Sequence, residues 1–232
     1  MLADQPEPPK YFAMMKHLNK VNRSLLVEVP KHPKLSKEQF LTAYNNGLSV
    51  IDVRVKTDFS KGFIPGSINI QGNNSFSTWA GWLLNYQEQF VLVAEDHQIE
   101  DLTRKLMRIG LDNIYGYISN VEDLGLELET GDIIGIEEFK SYISNPEAQI
   151  VDVRGISEYN TYHIEGADNV FVGTLPDHLD KFSRDKQIVI HCQSGDRATI
   201  AQSLLAKYGF KNVKNYSAGM KEWMEQSVNK SI

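Results

Sequence analysis

The 232-residue chain has one cysteine, Cys192, so no disulfide can form within it. A lone thiol fits a reducing compartment and leaves only pairing between chains open. Long apolar runs are also missing. None approaches the roughly 20 residues that span a bilayer, so no membrane partner is expected. The start, Met1-Leu2-Ala3-Asp4-Gln5-Pro6, lacks the basic and apolar regions of a signal peptide, and the expectation is a soluble cytoplasmic protein. Basic excess is absent: a net charge of -6 gives no reason to expect a nucleic-acid face. The six histidines are scattered without metal-ligand spacing, so no metal or cofactor is expected in this chain.

What is present centres on His191-Cys192-Gln193-Ser194-Gly195-Asp196-Arg197. Before it, Gln187-Ile188-Val189-Ile190 reads as a buried strand, and after it Ala201, Leu204, Leu205 and Tyr208 recur at helical spacing. The cysteine thus falls where a strand hands over to a helix. In open α/β sheets ligands bind there, and a helix's first turn offers unpaired N–H groups to an anion.

From Leu35 onward the sequence repeats. Leu48-Ser49-Val50-Ile51-Asp52-Val53-Arg54 answers Ala148-Gln149-Ile150-Val151-Asp152-Val153-Arg154, and Phe63-Ile64-Pro65-Gly66-Ser67 answers His163-Ile164-Glu165-Gly166-Ala167. Phe90 to Ala94 then matches Ile188 to Cys192, and Arg108-Ile109-Gly110-Leu111 matches Lys207-Tyr208-Gly209-Phe210. Blocks kept in order point to a duplicated domain. The size suits two domains of about 100 residues. In the second copy a helix is expected over 136–143 with Phe139 inward, a strand over 149–153, a loop over 163–166, a short strand near 169–172 and a small helix around 175–181. Next come the cysteine strand and helix, a last strand over 213–216, and a terminal helix carrying Trp223. Alternating strands and helices imply the α/β class, each domain a mainly parallel sheet with helices on both faces. The boundary is placed near 127–131, giving a segment 1–33 and domains 34–128 and 129–232. In the first segment, Gln5 to Lys10 should be extended, and a short helix over 11–21 should carry Phe12, Met15 and Leu18 on one side.

On frequency alone a lone cysteine is more often a small buried hydrophobe. The polar loop with glycine and arginine behind it argues for chemistry instead. Gly195 permits unusual backbone angles, and Gln193 and Ser194 can expose their amides. A thiolate at a helix N-terminus near Arg197 should have a lowered pKa and act as a nucleophile. Asp196 can cap the helix or orient Arg197, and His191 is expected to hydrogen-bond inside the sheet.

The second copy resembles a rhodanese (sulfurtransferase) domain. The resemblance rests on Val151 to Arg154 with Glu158-Tyr159, His163 to Ala167, His191 to Arg197, and Gly219 with Trp223. It implies that Cys192 carries a persulfide and passes sulfur between thiosulfate or a small persulfide and a thiol or sulfite. The backbone of Gln193, Ser194, Gly195, Asp196 and Arg197 would cradle the sulfur, Arg197 would help hold the anionic substrate, and Asp152 with Arg154 would be a buried structural pair. In the first copy Ala94 replaces the cysteine, Glu95-Asp96-His97-Gln98 lacks glycine and arginine, and Phe63 replaces His163, so that copy resembles an inactive domain. Cysteine phosphatases share the strand, loop and helix but have five residues between cysteine and arginine. Here there are four, Gln193 to Asp196, which favours sulfur. A non-catalytic module binding persulfide or a partner protein is the other alternative.

Residues Pro6 to Lys16 are similar to the segment ending the metallo-β-lactamase-fold domain in persulfide dioxygenase–rhodanese fusions. This implies an upstream dioxygenase domain in the same polypeptide, with any iron held there, and a role in sulfide and persulfide detoxification. Self-association into a homo-oligomer is compatible with the sequence.

Overall fold

The computed structural model describes residues 9–18, 20 and 28–228. Helix α1 (Lys10–Leu18) precedes the first copy, whose elements are α2 (Lys37–Asn45), β1 (Ser49–Asp52), α3 (Lys56–Lys61), β2 (Ile68–Asn69), α4 (Phe76–Leu83), β3 (Phe90–Val93), α5 (Ile99–Met107) and β4 (Ile114–Ile118). Those of the second are β5 (Asp132–Ile134), α6 (Ile136–Ile143), β6 (Ala148–Asp152), α7 (Ile156–Thr161), β7 (Asp168–Asn169), β8 (Gln187–His191), α8 (Asp196–Lys207), β9 (Val213–Tyr216) and α9 (Gly219–Val228).

The first sheet runs β2-β1-β3-β4 and is parallel throughout. Every residue of β3 is buried, as a strand covered by helices on both sides requires. Helix α2 starts at Ser36, whose side chain accepts the Gln39 N–H while the Gln39 side chain accepts the Ser36 N–H, satisfying two orphan donors. It buries Phe40 and Ala43 against Val50, Val91 and Val93. Ahead of it, Tyr11 of α1 lies over Gly81 of α4, where a Cβ would overlap the tyrosine ring. The inward side of α1 therefore belongs to Tyr11. Phe12, expected there, is 54% exposed, since Gly81 leaves a ring-sized gap for its neighbour. Residues 1–8, 19 and 21–27 lie outside the described part, and with them most of the expected extended stretch and the end of that helix.

The second sheet runs β5-β9-β8-β6-β7, also all parallel. Its core joins Phe139 of α6 to Val189, Tyr216 and Met220. Helix α6 spans the expected residues with Phe139 fully buried. Four expectations need correction. A strand, β5, precedes α6 where the second copy is expected to open on the helix. The strand near 169–172 ends at Asn169, and although the Val170 and Val172 N–H groups still donate to the Asp152 and Val153 carbonyls, Val172 opens a 3-10 turn, Val172–Asp177. The small helix around 175–181 is thus the end of that turn plus a second, Leu179–Lys181. Tyr208 terminates α8 and is 39% exposed, so the buried side of that helix is carried by Ala201, Leu204 and Leu205 without it.

Among the described residues no helix is long and apolar enough to cross a membrane, and no group of three or more His, Cys, Asp or Glu side chains could hold a metal ion.

Candidate functional site

The carboxyl ends of β6, β8 and β7 bring Asp152, His191 and Asn169 to one edge of the second sheet. Cys192 follows β8 directly and is 1% exposed. Burial of that degree suits an ordinary core cysteine; the backbone around it does not. The Gly195 N–H donates to Cys192 Sγ at 3.1 Å. Gly195 has φ +95 and caps α8, a conformation that glycine adopts without steric cost. The Cys192 and Gln193 carbonyls accept N–H groups of α9, from Met220 at 2.8 Å and Lys221 at 3.1 Å. In a trans peptide the N–H points opposite the carbonyl, so the amides of Gln193 and Ser194 are turned away from α9. Gly219 makes this contact possible: at φ +63 it lies so near the Cys192 carbonyl oxygen that any Cβ would overlap it. Gln193, Asp196 and Arg197 are partly buried and Ser194 is exposed, with Asp196 as the first residue of α8.

Behind the loop, Arg154 donates to both oxygens of Asp152, Nε at 3.0 Å to each and Nη2 at 2.6 Å, and also to the Tyr162 carbonyl. Asn169 Nδ2 donates to the carbonyls of Asp152 and Arg154, both at 2.9 Å, which locks the end of β6. The first copy keeps this frame, with Arg54 on Asp52 and Asn69 on the same two carbonyls. Asn169 escaped the sequence reading, although its repeat partner Asn69 was the available signal.

His191 departs from expectation. Its backbone carbonyl accepts the Val153 N–H, while neither ring nitrogen has a hydrogen-bond partner of good geometry, the neighbouring Cys192 backbone giving at most a weak contact. The ring lies edge-on to Phe139 at 5.9 Å, within the cluster where Phe139 stacks on Tyr216. Burial pushes its pKa down to about 4, with the Asp152 carboxylate offsetting part of the effect, so the imidazole is neutral at pH 7.

Arg197 donates to both oxygens of Glu158, Nη1 to Oε2 at 2.5 Å and Nη2 to Oε1 at 2.9 Å. The guanidinium holds the Glu158 carboxyl below its ordinary pKa, against the opposing effect of burial. This ion pair was not anticipated from the sequence. Glu158 is noted there only as part of a motif, and its partner lies 39 residues away.

In the first copy Asp52 pairs with Val93 as Asp152 pairs with His191, so Ala94 occupies the position of Cys192. A 3-10 turn, Asp96–Gln98, replaces the glycine loop, and Asp96 is paired with Lys34 at 2.8 Å. Ile99 stands five residues beyond Ala94, where Arg197 stands beyond Cys192, and it is buried.

The rhodanese-like domain model matches residues 36–121 and again 136–226, and the chain belongs to that family. A Bacillus subtilis protein with the provisional description sulfur carrier protein is 35% identical over 91 residues, 39% of this chain and 49% of its own. The chain thus spans about half of that relative's length. The thiosulfate:glutathione sulfurtransferase of Saccharomyces cerevisiae is 31% identical over 99 residues, 37% of this chain and 71% of that one. Among solved structures, a metallo-β-lactamase of Staphylococcus aureus is 32% identical, with 50% of this chain and 32% of that one covered and a TM-score of 0.44.

Proposed function

We propose that the second domain is a sulfurtransferase working through a persulfide on Cys192. The observation that carries the reading is the amide donation from Gly195 to Sγ in a loop whose carbonyls are tied back to α9. A sulfur anion there is met by N–H groups and a helix N-terminus, which favour negative charge. In the first half-reaction the Cys192 thiolate attacks the sulfane sulfur of thiosulfate or a small persulfide. The donor's S–S bond breaks, and sulfite or a thiolate leaves. In the second, an acceptor thiolate or sulfite takes the outer sulfur and the Cys192 thiolate returns, so no external oxidant is needed. Gln193, Ser194, Gly195, Asp196 and Arg197 form the substrate cradle, and the neutral His191 packs behind it. The first domain takes no part in the chemistry, because it has no thiol. We place the activity in sulfide or persulfide detoxification, alongside a dioxygenase domain of the same polypeptide that would hold the iron.

The test is steady-state transfer from thiosulfate and from an alkyl persulfide to a thiol acceptor. Wild-type protein turns over and Cys192→Ser does not; equal rates overturn the mechanism. A second reading, a carrier that accepts sulfur without turning over, is favoured by the description of the Bacillus subtilis relative. It predicts loading at Cys192 with no steady-state rate. Hydrolysis of an aryl phosphate by wild-type protein would mark a phosphatase instead.

A further inference from the structure

We propose that Glu158 determines donor specificity, holding Arg197 as a charge-neutral pair so that the sulfur site favours monoanionic persulfides over dianionic thiosulfate. The inference rests on the sulfurtransferase reading above. Two guanidinium groups lie at this edge of the sheet, and each is bound to a carboxylate. Arg154 is buried against Asp152 and also spends Nη2 on the Tyr162 carbonyl. Arg197 meets Glu158 through two N–H groups. Glu158 is itself held in place, because the Gly155 N–H that opens α7 donates to Oε2 at 3.3 Å. Arg197 is therefore oriented by α7 rather than by substrate.

The consequence is electrostatic. With both arginines neutralised by their partners, the local attraction for anions comes from the loop amides and the first turn of α8, a partial charge of roughly half a unit that the Asp196 carboxylate in that turn opposes. That suits one negative charge better than two, since a dianion must also approach the negative sulfur of Cys192. The interaction of a donor with the local potential scales with the donor's charge. Removing the Glu158 charge therefore helps a dianion twice as much, in free energy, as a monoanion. Side chains of Arg197 and Glu158 are 18% and 39% exposed, so solvent screens the effect and keeps it moderate.

The test compares kcat/KM for thiosulfate and for a monoanionic alkyl persulfide in wild-type protein, Glu158→Gln and Glu158→Asp. In Glu158→Gln the persulfide value rises about threefold and the thiosulfate value about tenfold, and added salt erodes the gain. Glu158→Asp keeps the charge and the wild-type preference. Melting curves matching wild type, together with full sulfur loading of Cys192, show that the variants are folded. A fall in thiosulfate kcat/KM in Glu158→Gln overturns the proposal, because Glu158 would then be aiding dianion capture. Equal changes for both donors, or none, overturn it too. Turnover of neither donor by wild-type protein defeats the sulfurtransferase reading as well, and so marks a different failure.

Discussion

His191 ties the stability of the second domain to pH in a way that can be worked out from its surroundings. Its ring is wholly buried, has no hydrogen-bond partner of good geometry, and has its pKa lowered from 6.5 to about 4, chiefly by burial. The unfolded chain takes up a proton near pH 6.5 and the folded chain only near pH 4. Between those values the unfolded state binds more protons, so the stabilisation is complete above about pH 6.5 and is lost as pH falls toward 4. Two and a half pH units at about 1.4 kcal/mol each correspond to a loss of about 3 kcal/mol between pH 7 and pH 4. The repeat supplies the natural substitution, because Val93 occupies the equivalent register position in the first sheet. In His191→Val a cavity adds a constant cost, but this part of the pH dependence disappears. Hydrogen exchange at the β8 amides, measured at several pH values, reads the opening free energy of this domain alone. If wild-type protein and His191→Val lose protection in parallel from pH 7 to pH 4, the buried-neutral account of His191 is refuted.

Other substitutions probe the frame around the loop. Gly219→Ala should cost about 2 to 4 kcal/mol and impair sulfur loading, since its Cβ displaces the Cys192 carbonyl. Gly209→Ala, at φ +80 with open space around it, should cost only about 1 kcal/mol, and thermal melts compare the two. Arg154→Met leaves Asp152 buried without its cation and should destabilise the second domain by about 3 to 5 kcal/mol in urea unfolding. Adding Ala94→Cys to Cys192→Ser should not restore transfer, because His97 and Ile99 stand where Gly195 and Arg197 stand in the cradle; recovered turnover would show that the thiol alone suffices.

The framework was legible where both copies keep it. Asp152, Arg154 and the strands around them repeat at fixed spacing, and buried strands such as β3 and β8 announce themselves by the apolar runs Phe90 to Val93 and Ile188 to Ile190. The cysteine loop stood out by contrast with Ala94. Elements built from few residues were not legible. β5 has three residues, two of them exposed, and exists because β9 offers it a ladder. The turn opening at Val172 begins like a strand, in sequence and in the N–H groups that Val170 and Val172 give to the Asp152 and Val153 carbonyls. The Arg197–Glu158 pair and the meeting of Gly219 with Cys192 join distant segments, so no local pattern encodes them. The surroundings of His191 were not legible, because its hydrogen bonding within the sheet is made by its backbone, while its ring packs on Phe139 from a distant helix.

The central claim, a persulfide held at Cys192, is met most directly by intact-mass measurement after incubation with thiosulfate or an alkyl persulfide. The account predicts that wild-type protein gains one sulfur atom, that a thiol acceptor removes it, and that Cys192→Ser gains none. Wild-type protein that takes up no sulfur, or a Cys192→Ser variant that takes up as much, would contradict it.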